Sequence, residues 1–307
     1  MPKDLLDKRL VIVTGKGGVG KSTVALALGL KAAERGKRTI VCEVSSQERA
    51  SHAFHRGSVG FTETELLPNL YGISIDPDEA MREYVLLSLK VKAMRDLLFR
   101  SKIFTYLAAA TPGLRELVTI GKIWELSLDP RKIKGGKPYD LVILDAPATG
   151  HGVGFLQTPK TFANVARVGP IASQGETLHR FVTNRRTSGV AIVALPEEMP
   201  VNETATLEQD ITRKVGASVD RIFLNGLYPE RFSAADAAKL DGALGQADGP
   251  PRDAISAALV VAKRSTAQRG QLARLEGKTR APVTTLPFLF QPEMAAAQLR
   301  LLAEAIS

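Results

Sequence analysis

The chain runs to 307 residues, 44% of them hydrophobic, with 41 Lys and Arg against 32 Asp and Glu for a formal charge of +9. That length and apolar content can bury a large core as one α/β domain, plain or with an insertion. A single cysteine excludes an intrachain disulfide, and no apolar run reaches the roughly 18 residues of a membrane span. With the charged start Met1 to Arg9, the expectation is a cytoplasmic protein that is neither secreted nor itself transmembrane.

The first element is an apolar strand at 10–14, where Leu10-Val11-Ile12-Val13 leads into Gly15-Lys16-Gly17-Gly18-Val19-Gly20-Lys21-Ser22. These positions fit G-x-x-x-x-G-K-[ST], in which glycine N–H groups wrap nucleotide phosphates, the lysine reaches the β/γ oxygens and the hydroxyl ligates Mg²⁺. From Ser22 and Thr23 the pattern continues as a helix that stops near Gly36, which puts the phosphates at its N-terminus. The candidate nucleotide-binding set is therefore Gly15, Gly17, Gly18, Val19, Gly20, Lys21, Ser22 and Thr23. Gly15, Gly17 and Gly20 also satisfy G-x-G-x-x-G, and Glu43 falls about where a dinucleotide fold keeps its ribose-binding acid. That reading fails because phosphoryl transfer, and not dinucleotide binding, uses both the charge of Lys21 and the metal-binding hydroxyl of Ser22. Lys16 taken alone is either a solvated lysine at the mouth of a phosphate site or a second phosphate-directed charge.

Further strands are expected near 38–44, 71–76, 139–146, 189–195, 221–226 and 282–289, with helical patterns between them. This alternation implies a doubly wound, mostly parallel α/β sheet that binds its ligand at the carboxyl ends of the strands. The run Tyr139-Asp140-Leu141-Val142-Ile143-Leu144-Asp145 reads as a buried central strand. Asp145 leaves its end either as a turn residue or as a carboxylate that holds Mg²⁺ directly or through water. Residues 1–307 read as one domain with a helical insertion at about 78–128, broken at Thr111-Pro112-Gly113, and a second helical segment at about 155–187. Gly245 to Arg252 is a Gly/Pro-rich loop, Lys132 to Lys137 a basic turn, and Pro292 to Ser307 a final amphipathic helix expected to pack on the sheet.

Lys16 followed by Gly17-Gly18-Val19-Gly20-Lys21-Ser22 resembles the deviant Walker A motif of the MinD, ParA, nitrogenase iron protein and ArsA superfamily. Asp145-Ala146-Pro147-Ala148-Thr149-Gly150-His151 resembles the switch II segment D-T-A-P-T-G-H of the ArsA-like anion-transporting ATPases, a family that includes the eukaryotic ATPase delivering tail-anchored membrane proteins. Phe155-Leu156-Gln157-Thr158-Pro159, Pro112-Gly113-Leu114-Arg115-Glu116 and Asn225-Gly226-Leu227 are similar to further segments of that family, so the resemblance spans nearly the whole chain. It implies an ATPase that closes as a dimer, homodimer or paralogue heterodimer, around ATP and Mg²⁺. Lys16 would then reach the partner's phosphates, and Asn225 would recognise adenine. The positive charge of Lys16 would act where the γ-phosphoryl group separates.

Two departures bear on mechanism. The relatives place an aspartate that activates the attacking water in switch I, whereas Ser45 stands at that position in Cys42-Glu43-Val44-Ser45-Ser46-Gln47-Glu48-Arg49. A hydroxyl is a poor general base because its pKa lies far from neutrality, so the role passes to Glu43 or Glu48, or turnover is slow, partner-stimulated or lost. Cys42 sits in an expected buried strand and reads as a core residue. The family's zinc-binding C-x-x-C and its three-cysteine metalloid site are absent, and a single cysteine cannot supply an iron–sulfur cluster. His52, His55, His151 and His179 show no helical pairing with acids, so Mg²⁺ is the expected metal, without zinc.

The helical insertion occupies the place of the targeting ATPase's client-binding helices and carries Met81, Tyr84, Leu86, Leu87, Leu97, Leu98, Phe99, Ile103, Phe104, Tyr106, Leu107 and Trp124. Such spacing is first of all core, with a groove for an apolar protein client as the alternative. Only Met81 and Met94 are methionines there, fewer than an adaptable groove tends to use. Between 78 and 137, twelve Lys/Arg face seven Asp/Glu, and Arg180, Arg185 and Arg186 add a second basic group. A solvated helical face is the usual meaning; attraction to nucleic acid or an anionic membrane is the alternative.

The expectation is an ArsA-like Mg-ATPase of P-loop fold, with Lys16, Lys21, Asp145 and Glu43 as candidate catalytic residues, Ser22 and Asp145 as the Mg²⁺ shell, and Asn225 at the base. A second ATPase subunit is the expected partner, with an apolar client or membrane partner as further candidates and nucleic acid not expected. The alternatives are a dimeric ATP-dependent clamp with little hydrolysis, motivated by Ser45, and a ParA-like DNA-associated ATPase, motivated by the basic charge. The residues leave the client open.

Overall fold

The computed structural model describes residues 4–44, 49–54, 57–88, 111–166, 169–291 and 293–306. Ser45 and Glu48 of the expected switch I, His55, and Met94, Leu97, Leu98, Phe99, Ile103, Phe104, Tyr106 and Leu107 of the insertion lie outside them.

Strands β1 (Leu10–Gly15), β2 (Thr39–Val44), β3 (Thr64–Leu67), β4 (Leu70–Ile75), β5 (Leu141–Asp145), β6 (Ser188–Ala194), β7 (Val219–Leu227) and β8 (Val283–Pro287) form one sheet in the order β3-β4-β2-β5-β1-β6-β7-β8. The β3–β4 pairing is antiparallel and the other neighbours are parallel. Every residue of β1 and β6 is buried, as strands covered on both faces require. The sheet order and parallel pairing agree with the doubly wound expectation. The sequence pattern missed β3: it is a four-residue edge strand whose only buried side chain is Leu66, too short to display a period.

Alternate side chains of each strand enter opposite cores, since successive residues of a strand point to opposite faces. Leu10, Ile12, Ile40, Cys42, Val142 and Leu144 share one core, and Val11, Val13, Val41, Leu141 and Ile143 the other. Cys42 is thus a fully buried core residue, and burial pushes its thiol well above the usual range.

Helix α1 (Lys21–Glu34) lies on the second core, followed in the chain by α2 (Arg49–Ala53) and α3 (Pro77–Ser88). A Cβ on Gly29 of α1 would stand 2.7 Å from a methyl of Val41, so this glycine permits close approach to the sheet. The first core is covered by α4 (Leu114–Leu126), α5 (Thr149–Ala166), α6 (Pro170–Thr183) and α7 (Glu198–Asp210), which supply Ile120, Phe155, Leu178 and Val201. A π-helical turn, Ile211–Val215, extends α7 and ends at Gly216, whose φ is 84°. Then come α8 (Ala234–Leu244), α9 (Pro250–Lys278) and α10 (Ala296–Ala305). The expected 245–252 loop is shorter than its composition suggested, because Pro250 is tolerated at the first helical position. Helix α10 packs against α1, where Lys31 Nζ donates to the Ala303 carbonyl at 2.9 Å and Arg300 pairs with Glu34 at 2.9 Å.

Buried charge ties the insertion to the sheet. The Arg131 guanidinium, with no side-chain exposure, pairs with Glu63 at 2.8 Å and Glu125 at 2.7 Å, while Tyr139 Oη donates to Glu63 at 2.8 Å. Lys122 of α4 holds Glu83 of α3 at 2.8 Å. Arg131, Lys122 and Glu125 therefore each have an opposite partner, without which their burial would be strongly destabilising. Of the expected groove residues that are described, Tyr84, Leu86 and Leu87 are partly exposed, whereas Met81 and Trp124 pack on the first core.

Candidate nucleotide site

Parallel register decides what stands at the carboxyl edge of the sheet. Val13 of β1 and Glu43 of β2 both pair with Asp145 of β5, and Gly15 pairs with Val193 of β6. The loop from Gly15 to Gly20 then turns into α1. Gly15 has φ 148°, and a Cβ there would lie 2.3 Å from the Val193 carbonyl oxygen, so the turn needs glycine twice over. Gly20 has φ 93°, and its Cβ would lie 2.3 Å from Asn225 Nδ2. Lys16, Gly17 and Gly18 are exposed at the loop's mouth, and Val19 is buried beneath it.

The two halves of the expected site meet. Ser22 Oγ donates to Asp145 Oδ2 at 2.5 Å. Lys21 Nζ donates back to the Lys16 carbonyl at 2.9 Å. Lys16 itself pairs with Glu203 of α7 at 2.8 Å, with 47% of its side chain exposed to solvent. Asn225, at the end of β7, turns its amide into the loop, and Nδ2 donates to the Val19 carbonyl at 3.0 Å. Glu43 is buried, its Oε1 accepting from Ala50 N at 2.9 Å, so it anchors the start of α2.

Three functional candidates escaped the sequence reading. Arg49 Nη1 donates to Ser22 Oγ at 3.2 Å, which brings a guanidinium to the first turn of α1. Thr14 Oγ1, one residue before the loop, is buried without a partner, as are Asp145 Oδ1 and Glu43 Oε2. Glu203 pairs with Lys16 across 187 positions, and nothing local to either residue signals it. Thr14 was the most accessible of the three, since a hydroxyl residue at the end of a buried strand directly precedes the glycine loop.

Charge is crowded here, and the titrating groups reflect it. Burial raises the Asp145 carboxyl above its ordinary range, against the opposing pull of the Ser22 hydrogen bond, Lys21 and Arg49. Burial pushes Glu43 up to about 7, with the Ala50 N–H opposing and the Asp145 charge adding to the shift. Lys21 is lowered by burial, opposed by Asp145 and reinforced by Arg49.

The side chains of Ser22, Asp145 and Glu43 thus bring oxygens together at the carboxyl edge of the sheet, beside the cations Lys21 and Arg49. Hard oxygens suit Mg²⁺, which keeps several waters and takes phosphate oxygens as its remaining ligands. Among the described residues, no group of three or more His, Cys, Asp or Glu could hold a metal ion. Beside Ser22 and Thr23, a cavity of about 430 Å³ opens between α1, α2 and the segment before α10, with Leu26, Met294 and Leu299 in its walls.

A parallel sheet whose central strand opens through a glycine loop into a buried helix, with a carboxylate at the end of the adjoining strand, is a P-loop NTPase fold. Within that class the chain belongs to the anion-transporting ATPase family, whose model matches residues 8–171. It is 30% identical to the ATPase BagA of Mycobacterium tuberculosis (strain H37Rv) over 85% of this chain and 76% of that protein. It is 27% identical to the ATPase ASNA1 homolog 1 of Paramecium tetraurelia, over 72% and 75% of the two chains. It is also 27% identical to a putative arsenical pump-driving ATPase of Halobacterium salinarum, over 73% of this chain but 35% of that longer protein. Among the described residues, no helix is long and apolar enough to cross a membrane.

Proposed function

We propose that this protein is a Mg-ATPase that closes as a dimer around its nucleotides. The observation that carries the reading is the 2.5 Å contact between Ser22 and Asp145 beside the glycine loop, with buried oxygens of Asp145 and of Glu43, its neighbour on β2, left unpartnered. Unpartnered buried polar atoms are costly and point to a polar group that completes them. Ser22 and Asp145 would hold Mg²⁺, which supplies positive charge to the β and γ phosphate oxygens.

In the reaction, water attacks the γ-phosphorus while the bond to the β–γ bridging oxygen breaks, releasing ADP and phosphate. Lys21 exchanges its Lys16 carbonyl for phosphate oxygens. Arg49 supplies a second charge in cis, and the exposed Lys16 a third across the dimer interface, where it opposes charge developing on the transferred group. Thr23 is the third residue of α1, at the wall of the 430 Å³ cavity beside the loop. Asn225 reaches the adenine by giving up its bond to the Val19 carbonyl.

Phosphate release by the purified protein with Mg-ATP, beside Lys21→Ala, tests the reading. Turnover in the parent that is lost in the variant is expected. Equal release from both, or no nucleotide binding by the parent, would remove it.

A further inference from the structure

At the opposite end of the sheet from the glycine loop, where β6, β7 and β8 begin, a pocket of about 480 Å³ lies between α7, the end of α9 and the turn before β6. Its lining includes Arg185, Arg213, Lys278 and Arg280 and a single carboxylate, Glu208. That carboxylate is spent: buried, it accepts from Arg280 N at 3.0 Å and Ala281 N at 2.8 Å, two backbone donors that would otherwise be orphaned. Lys278 touches only the neutral amide of Asn202, at 2.8 Å. Among the described residues, the guanidinium groups of Arg185, Arg213 and Arg280 make no ion pair.

The pocket is built rather than incidental. Arg213 stands on the π-helical turn Ile211–Val215, a rare geometry that recurs at functional sites. The turn carrying Arg185 is tied to the sheet by Lys8, whose Nζ donates to the Arg185 carbonyl at 2.5 Å and pairs with Asp220 at 3.2 Å. Four cations from three separate segments converge on a concavity of small-molecule size. Guanidinium forks match phosphate oxygens in paired hydrogen bonds. One phosphate group carries at most about two negative charges, which leaves part of this positive field unmet.

We infer that this pocket binds a small anion carrying two or more phosphate groups, at a site separate from the glycine loop. The concavity favours such a molecule over a nucleic-acid backbone, which tracks an open stripe of charge.

The test is calorimetric titration of inorganic pyrophosphate into the full chain in about 0.15 M salt, in a Lys21→Ala background so that the glycine loop does not compete. Saturable one-site binding is expected, weakened about tenfold or more in Arg213→Ala/Arg280→Ala, since each lost charge-assisted contact is worth over ~1.4 kcal/mol. Both arginines are exposed, so the double variant should melt with the parent. Vesicles of phosphatidylcholine doped with phosphatidylinositol bisphosphate form the second arm. Sedimentation with them that pyrophosphate competes away would keep the site and assign its phosphates to a lipid headgroup. No saturable pyrophosphate binding would overturn the inference, as would binding unchanged in the double variant. Salt-sensitive retention of duplex DNA without pyrophosphate binding would assign the face to nucleic acid and overturn it as well.

Discussion

Ser22 Oγ and Asp145 Oδ2, 123 positions apart in the chain, stand 2.5 Å from each other because β1 and β5 are adjacent parallel strands whose carboxyl ends coincide. The hydroxyl donates to a carboxylate that burial has already made reluctant to ionise. On the proposed reading, Mg²⁺ held by these two residues would take the place of this hydrogen bond.

Asp145→Asn should therefore separate stability from function. With EDTA present, the variant should melt at or above the parent's temperature near neutral pH, because it removes a buried carboxylate whose charged form burial disfavours. Mg-dependent phosphate release should fall by roughly 10- to 100-fold or more, the usual consequence of disturbing a metal's protein partners. Melting curves and steady-state rates on the same preparation check both, and undiminished turnover would remove Asp145 from the metal shell.

Lys16→Ala should keep ATP affinity but lose turnover by about 10³-fold or more, the range for a charge supplied to the separating γ-phosphoryl group. Glu203→Gln releases the same lysine from its 2.8 Å partner. Because both side chains are partly exposed, the melting temperature should scarcely move, the pair being worth at most about 1 kcal/mol. Analytical ultracentrifugation with a hydrolysis-resistant ATP analogue should show dimer in the parent and in Glu203→Gln. A monomer in both would contradict the cross-subunit role.

Arg49→Ala should weaken ATP more than ADP, since its guanidinium stands at the hydroxyl beside which the outer phosphates would lie. A loss of about tenfold in the ATP-to-ADP preference is expected for one charge-assisted contact. Competition titrations with the two nucleotides measure it. Equal weakening of both would assign Arg49 to general loop support.

Glu43 predicts a pH dependence. Its carboxyl is raised from 4.5 to about 7 by burial, so between those values the folded chain holds a proton that the unfolded chain has lost. Stability from this group is present below about 4.5, declines as pH rises through the window and stays reduced above 7. Glu43→Gln keeps an oxygen for Ala50 N and removes the titration. In metal-free buffer, the variant should gain stability relative to the parent as pH increases from 5 to 8, and denaturant melts at the two values should show it. A constant difference across that range would mean that Glu43 is ionised throughout.

Much of this was legible in the linear sequence where the determinants are local. Buried parallel strands read as continuous apolar runs, so β1, β2, β4, β5, β6, β7 and β8 were expected at nearly their observed positions. β3 was not, because an edge strand with one buried residue carries no periodic signal. Glycine spacing in the loop was visible, yet only the fold shows why position 20 must be glycine, since Asn225 arrives there from 205 residues away. Glu43 was one of two candidates, with Glu48, for the role of the missing switch I acid, and only the fold shows its contact with the backbone of α2, through Ala50 N.

The sequence by itself determined the fold class, the glycine loop and its lysines, and the family that they resemble, because these depend on residue type at short spacing. Only the packed chain settles that Arg49 reaches Ser22, that Glu203 holds Lys16, and that Arg185, Arg213 and Arg280 line one pocket with a carboxylate already committed to backbone N–H groups. Each of those pairings joins segments far apart in the chain, and their meeting is set by strand order and helix packing, which no local pattern of residues encodes.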